Sequence, residues 1–203
     1  MIGIVDYRAG NAPSVGYALA RLGIEHELVT TAEQVAASDR IVLPGVGAAR
    51  ATLDSLSESG LLESLTSRVQ DDRVPFLGIC IGLQILFDHS EESDTPGLGW
   101  VPGRVRQFPA TARVPQIGWN AVRVRRAHPL TADFPDGGHC YFVNSYYAVP
   151  DDDHDVLGDT EYTLEFCSIV AHDNIVATQF HAEKSGPIGL GLLAAFARWD
   201  AAC

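Results

Sequence analysis

The chain has 203 residues, 46% of them apolar, and carries a formal net charge of −12 from 26 acidic against 14 basic side chains. That length and composition suit one domain with a sizeable core, and the acidic balance argues against a protein that neutralises phosphates over a broad nucleic-acid surface. No apolar run reaches the roughly 18 residues of a membrane span. The start, Met1-Ile2-Gly3-Ile4-Val5-Asp6, has neither a basic leader nor a small-residue cleavage site, so a cytoplasmic location is expected.

Short β-branched runs alternate with amphipathic stretches through the first half, the pattern of βαβ units feeding a parallel sheet. Residues 2–5 read as the first strand. Pro13 suits a first helical turn, and Val15, Ala18, Leu19 and Leu22 share one helical face until Gly23 ends it. Strands follow at 27–29 and 40–43, the second running into a loop Pro44-Gly45-Val46-Gly47, and a helical stretch extends through Leu65 and Val69. Residues 74–79 are almost continuously apolar, as in a strand buried on both faces, and a helical pattern through Leu83, Ile85, Leu86 and Phe87 follows at once.

From Gly103 the texture changes to short alternating runs at 122–125, 140–143, 168–171 and 175–180, which read as antiparallel additions, before a closing helix at 187–199. Residues 91–99 and 151–155 read as loops, and the acidic run Asp151-Asp152-Asp153 as a solvated turn rather than a metal site. The expected fold is therefore α/β: a three-layer, open, mostly parallel sheet with flanking helices and antiparallel strands added in the C-terminal half. No repeat or linker divides residues 1–203, so a single domain is expected. The four cysteines, Cys80, Cys140, Cys167 and Cys203, have no C-x-x-C spacing, which leaves a disulfide scaffold or structural zinc without support.

Cys80 lies between the apolar strand and the helical pattern, with Gly78 and Gly82 two residues to either side. This is the cysteine form of a nucleophile elbow, in which glycines let strand and helix backbones approach and a strained central residue displays its side chain. A following helix N-terminus would favour the thiolate. By itself the segment fits a small buried cysteine equally well.

Far along the chain stand His181 and Glu183. In an extended segment they face the same way, the base-plus-orienter pair that a thiol nucleophile needs, although an isolated His-x-Glu also fits a surface pair. The Pro44–Gly47 loop leaves the carboxyl end of a parallel strand, where ligands gather. Its Val46 N–H, with that of Ile81, would make an oxyanion hole, and a plain strand-to-helix turn is the other reading. Gln84 stands one helical turn from Cys80, where its amide would meet a substrate amide.

These strings, with Asp6-Tyr7-Arg8-Ala9-Gly10-Asn11, Gly118-Trp119-Asn120 and Asn144-Ser145-Tyr146-Tyr147, resemble the class I, triad-type glutamine amidotransferases over nearly the whole chain. Within them they are most similar to the glutaminase subunits that serve imidazole glycerol phosphate formation in histidine biosynthesis. The resemblance implies hydrolysis of L-glutamine to glutamate and ammonia, with Cys80 as nucleophile, His181 as base then acid and Glu183 as orienter. It implies Val46 and Ile81 at an oxyanion hole, and Gln84, Glu92, Gly45, Gly47, Ser145 and Tyr146 around the substrate.

Asn11, Trp119 and Lys184 match a subunit face and ammonia route toward a (β/α)₈ cyclase in a heterodimer. No metal or organic cofactor, nucleic acid or membrane is implied. The sequence departs from the family pattern at Gln116 and Asn144, both usually His, at Ala182, usually Pro, and at Phe166-Cys167. The triad positions survive these changes. They bear instead on the partner, and leave open a glutaminase feeding another synthase, a Cys-His hydrolase of peptides or γ-glutamyl compounds, and a silent binding subunit.

Overall fold

The computed structural model describes residues 1–8 and 11–201; Ala9 and Gly10 of the first motif, and Cys203, lie outside the described residues. The parallel half of the sheet is built from β1 (Ile2–Val5), β2 (His26–Val29), β3 (Arg40–Gly45) and β4 (Phe76–Cys80). Helices α1 (Ala12–Arg21), α2 (Ala32–Ala36), α3 (Ala49–Glu58), α4 (Leu61–Thr66) and α5 (Ile81–Gln84) connect or follow them.

Then come β5 (His89–Ser90), β6 (Thr95–Pro96), β7 (Gly103–Gln107), β8 (Gln116–Val124), β9 (Gly138–Asn144), β10 (Tyr146–Pro150), β11 (Val156–Tyr162), β12 (Leu164–His172) and β13 (Ile175–Thr178), closed by α6 (Gly186–Arg198). The sheet runs β2-β1-β3-β4-β13-β12-β10-β7-β5-β6, with β11 joining β12 to β8 and β8 pairing β9. From β2 to β13 every pairing is parallel. Beyond β13 the additions are antiparallel apart from the short β5–β7 pair.

Period-two alternation sorts the core into two layers. Ile2, Ile4, Val42, Leu77 and Ile79 point into one apolar cluster with α1 and α6, whereas Val5, Ile41, Leu43 and Phe76 point into the other with α3 and α4. Burial on both faces explains why these strands read as apolar runs rather than alternating ones. No helix among the described residues is long and apolar enough to cross a membrane.

Three expectations change. The stretch expected to run on through Val69 is broken after α3 at Gly60 (φ +71) and ends in a single π-turn, Ser67–Asp71. The helix expected through Phe87 is one turn long. The carbonyls of Ile85, Leu86 and Phe87 are taken by the N–H groups of Leu98, Trp100 and Gly99 from the returning chain, so the peptides that would extend α5 are bonded elsewhere. Helix α2 was not anticipated, although its Thr31–Gln34 capping box is a sequence-level start signal. The acidic turn is exposed as expected, with Asp152 accepting from the His154 N–H and Asp153 paired with Arg125.

The glycines beside Cys80 are explained by backbone contact. A Cβ on Gly82 would lie 2.1 Å from the Leu43 carbonyl oxygen and one on Gly78 2.4 Å from the Gly82 oxygen. Gly82→Ala is therefore expected to lower unfolding free energy by more than about 3 kcal/mol. Gly191→Ala, in open space on α6, should raise it by about 0.5–1 kcal/mol. Urea denaturation of the two variants checks both signs.

Candidate active site

Strand order brings the chemistry together. β4 is flanked by β3 and β13, so the carboxyl ends of three adjacent parallel strands deliver Cys80, the Val46-Gly47 segment and His181 to one edge of the sheet. Cys80 adopts φ +57, ψ −105, a conformation that costs a non-glycine residue about 1–3 kcal/mol. It is held by the register Gly45↔Cys80 on one side and by β13 on the other.

A cavity of about 270 Å³ opens over the sulfur, just under the range of about 300–1,000 Å³ that takes drug-sized ligands and therefore suited to a small one. Cys80, Ile81, Gln84 and His181 form its floor and wall. Val46, Gly47, Glu92, Ser145 and Tyr146 also line it. Gly45 does not: β3 continues through Pro44 into Gly45, which is buried, and a Cβ there would sit 1.9 Å from Ile81 Cγ2 and 2.5 Å from the Tyr7 hydroxyl. Its lack of a side chain serves packing under the bend, not contact with a ligand.

His181 and Glu183 meet by a different route from the one expected. β13 stops at Thr178, and Ala182–Lys184 form a 3₁₀ turn. The imidazole Nδ1 nevertheless lies 2.8 Å from Glu183 Oε1, and both side chains are buried. Because Nδ1–H donates to the carboxylate, Nε2 is the nitrogen left for the sulfur.

The main chain of His181 is tied to β9 by its N–H to the Tyr141 carbonyl (2.9 Å), and its carbonyl accepts from Ser185 Oγ (2.7 Å). Burial alone would lower the imidazole pKa, but hydrogen bonds to Cys80 and Glu183 and their charges outweigh it and bring the ring to about 9. Burial pushes the thiols of Cys140 and Cys167 up, the former to about 12, and of the described cysteines it is Cys80 that lines the cavity. One part of the expected thiolate support is weak, since a helix of four residues has little macrodipole.

Other residues gain contacts that their types alone did not indicate. Asn11, expected on a subunit face, donates from Nδ2 to Glu183 Oε1 at 2.7 Å and accepts from Ser14 Oγ at 2.7 Å, so it props the carboxylate from behind. Lys184 and Trp119 are exposed, Trp119 at 54%. Glu92 accepts from the Ala49 N–H at the start of α3 (2.7 Å). Gln179 is fully buried behind Cys80.

The departing residues Gln116 and Asn144 are buried and oppose each other across β8 and β9. Gln116 donates to Asn120 and Asn144 to the Tyr146 carbonyl. Ala182 is fully buried. No sequence signal indicated that Gln116 and Asn144 face each other, because that pairing is set by the β8–β9 register.

A family model described as glutamine amidotransferase class-I matches residues 4–197. The chain belongs to the class-I glutamine amidotransferases. Among curated proteins it is 43% identical over 193 residues to the imidazole glycerol phosphate synthase subunit HisH of Dehalococcoides mccartyi, covering 95% of this chain and 94% of the relative. It is likewise 43% identical over 207 residues to HisH of Chloroflexus aurantiacus, covering 100% and 97%.

Solved structures share the fold at lower identity. A glutamine amidotransferase crystal structure superposes with TM-score 0.76 at 20% identity, over 96% of each chain. The glutaminase domain of Trypanosoma brucei CTPS with bound acivicin gives 0.65 at 15%, over 98% of this chain and 94% of that one. As a class-I glutamine amidotransferase, the chain is a glutaminase.

The raised value for His181 makes a pH prediction with a definite sign. Its stabilising contribution is complete below the unfolded value near 6.5 and is lost as pH rises through about 9. Imidazole nitrogen shifts should show a ring still protonated at pH 7.5 and deprotonating near pH 9. The pH dependence of unfolding free energy between 6.5 and 9 should flatten in His181→Gln.

Proposed function

We propose that this chain is the glutaminase subunit of an imidazole glycerol phosphate synthase. In this reading residues 1–203 act as one domain that hydrolyses L-glutamine and passes ammonia to a (β/α)₈ cyclase subunit in a heterodimer. The cyclase then forms imidazole glycerol phosphate and aminoimidazole carboxamide ribotide in histidine biosynthesis, in the cytoplasm. The observation that carries the chemistry is the Cys80–His181–Glu183 line, in which a thiol at a strained bend adjoins an imidazole whose far nitrogen is fixed by a buried carboxylate.

The Cys80 thiolate attacks the side-chain carbonyl carbon of glutamine, and the oxyanion is met by the backbone N–H groups of Val46 and Ile81, each worth about 3–4 kcal/mol in the transition state. The tetrahedral intermediate collapses as His181 protonates the departing nitrogen, releasing ammonia and leaving a γ-glutamyl thioester. Water then gives a proton to His181 and attacks the thioester, and glutamate leaves with the thiolate restored. Gln84, Glu92, Gly47, Ser145 and Tyr146 surround the substrate, with Glu92 suited to an ammonium group.

The pathway assignment is supported by the HisH relatives at 43% identity over nearly full length. A docking face is supported by exposed apolar side chains at Val114 (42%), Ile117 (64%) and Trp119 (54%) beside Pro115 at the cavity, since grouped exposed apolar groups mark interaction surfaces. With Lys184 they would frame the ammonia exit. The departures at Gln116, Asn144 and Ala182 are buried, and Asn144 lines the cavity, so none of the three is part of the exposed Val114, Ile117 and Trp119 patch.

Cys80→Ala should abolish glutamine-dependent turnover by the assembled synthase while turnover with ammonium salts persists, and equal loss of both would contradict the division of labour. Glu183→Gln, which frees the imidazole tautomer, is expected to lower kcat by about 10²–10⁴ with a smaller change in KM. Steady-state kinetics with each nitrogen source measures both.

A further inference from the structure

The amide of Gln179 is fully buried and sits where one side chain reaches two groups of the proposed site. Its backbone N–H is anchored to the Ser168 carbonyl at 2.9 Å, so the residue following β13 is fixed beside Cys80. From there Nε2 lies 3.8 Å from Cys80 Sγ, while Oε1 accepts from Gln84 Nε2 at 3.0 Å. The Gln84 Nε2 also donates to the Tyr146 carbonyl at 3.2 Å.

These contacts fix the direction of the chain of amides. A backbone carbonyl only accepts, so the group of Gln84 that faces Tyr146 must be its NH₂. The second hydrogen of that NH₂ then meets an acceptor, which sets Oε1 of Gln179 toward Gln84 and Nε2 toward the sulfur. No exchange of amide nitrogen and oxygen satisfies all three contacts.

Two consequences follow. The sulfur has an acceptor, the Val143 carbonyl at 3.9 Å, suited to the thiol proton, and a donor, Gln179 Nε2, suited to the thiolate. When the proton passes to His181 Nε2, the Gln179 contact strengthens and the Val143 contact does not, because a hydrogen bond donated to the charged form favours that form. Gln84, with both N–H groups engaged, has only Oε1 to offer the cavity, so it acts on a ligand as an acceptor of N–H groups.

We infer that Gln179 is a positioning residue that stabilises the Cys80 thiolate and locks Gln84 as a hydrogen-bond acceptor for the substrate's nitrogen-bearing groups. This rests on the glutaminase reading of Cys80. The titratable groups around the sulfur are His181, Tyr7 beneath the bend and Glu92 across the cavity, with Glu183 behind His181. Gln179 is the neutral donor among them.

The test compares the full-length protein with Gln179→Met, which keeps side-chain length but neither donates nor accepts as an amide does, and with Gln84→Met. The pH profile of iodoacetamide alkylation is followed on the Cys80 peptide by mass spectrometry, and glutaminase kcat and KM are measured with the synthase partner. Gln179→Met should shift the alkylation midpoint upward by about one pH unit, a tenfold loss of thiolate below it, and should both lower kcat and raise KM. Gln84→Met should raise KM several-fold and move the midpoint by less than Gln179→Met does, because it frees the Gln179 amide without removing it.

A folded Gln179→Met protein, checked by its thermal unfolding, with an unmoved midpoint overturns the inference. Gln179→Asn, whose shorter amide falls short of the sulfur, provides a second variant should the Met protein not fold, and must shift the midpoint likewise. Failure of the wild-type Cys80 to be labelled by a glutamine-like electrophile would instead overturn the glutaminase reading itself.

Discussion

Backbone contact at the end of β4 is the constraint on which the site depends. Gly82 brings its Cα against the Leu43 carbonyl, and Gly78 lies equally close to Gly82, so the chain can reverse from strand to helix within a few residues. A side chain at either glycine would push α5 away from the sheet and relax the bend. Cys80 would then leave its positive-φ conformation, and its sulfur would no longer rise into the cavity. The strain at Cys80 is sustained because β3 and β13 hold β4 from both sides, so the cost of the conformation is offset by the surrounding sheet.

Around that bend the polar groups are arranged in two lines that meet at the sulfur. One runs from Ser14 through Asn11 and Glu183 to Nδ1 of His181, whose other ring nitrogen is left for the sulfur. The other runs from the Tyr146 carbonyl through Gln84 to Gln179. Both are anchored in backbone or in well-packed helices, and in the low-dielectric interior such fixed donors and acceptors act strongly without reorganising. The first line also connects α1 to the carboxylate, giving Asn11 a part in the site as well as at the surface.

Much of the fold was legible in the residues. The β-branched runs of β1 and β3 and the continuous apolar run of β4 read as strands, β4 as one covered on both sides, and the change of texture after Gly103 marked the antiparallel additions. Elements were misjudged where tertiary bonds competed with local pattern. The apolar periodicity through Phe87 is genuine, yet the carbonyls of residues 85–87 bond to the returning 98–100 segment and the helix ends after one turn. Gly45 looked like a loop glycine because it follows proline, but its buried neighbours Tyr7 and Ile81 come from elements distant in sequence. His181 and Glu183 lie together although Ala182–Lys184 is a 3₁₀ turn, because His181, just before that turn, is itself extended (φ −80, ψ 99).

The sequence by itself determined the α/β class, the glycine-flanked cysteine and the imidazole–carboxylate pair, because each is written in residues close enough along the chain for local geometry to constrain them. Only the tertiary structure decided that β13 lies next to β4. That placement brings His181 and Gln179 to a sulfur about a hundred positions away and Asn11 to a carboxylate 172 residues distant. Strand order is set by how two apolar faces are covered at once, a condition on the whole chain, so no local pattern of residue types encodes which amide will face which thiol.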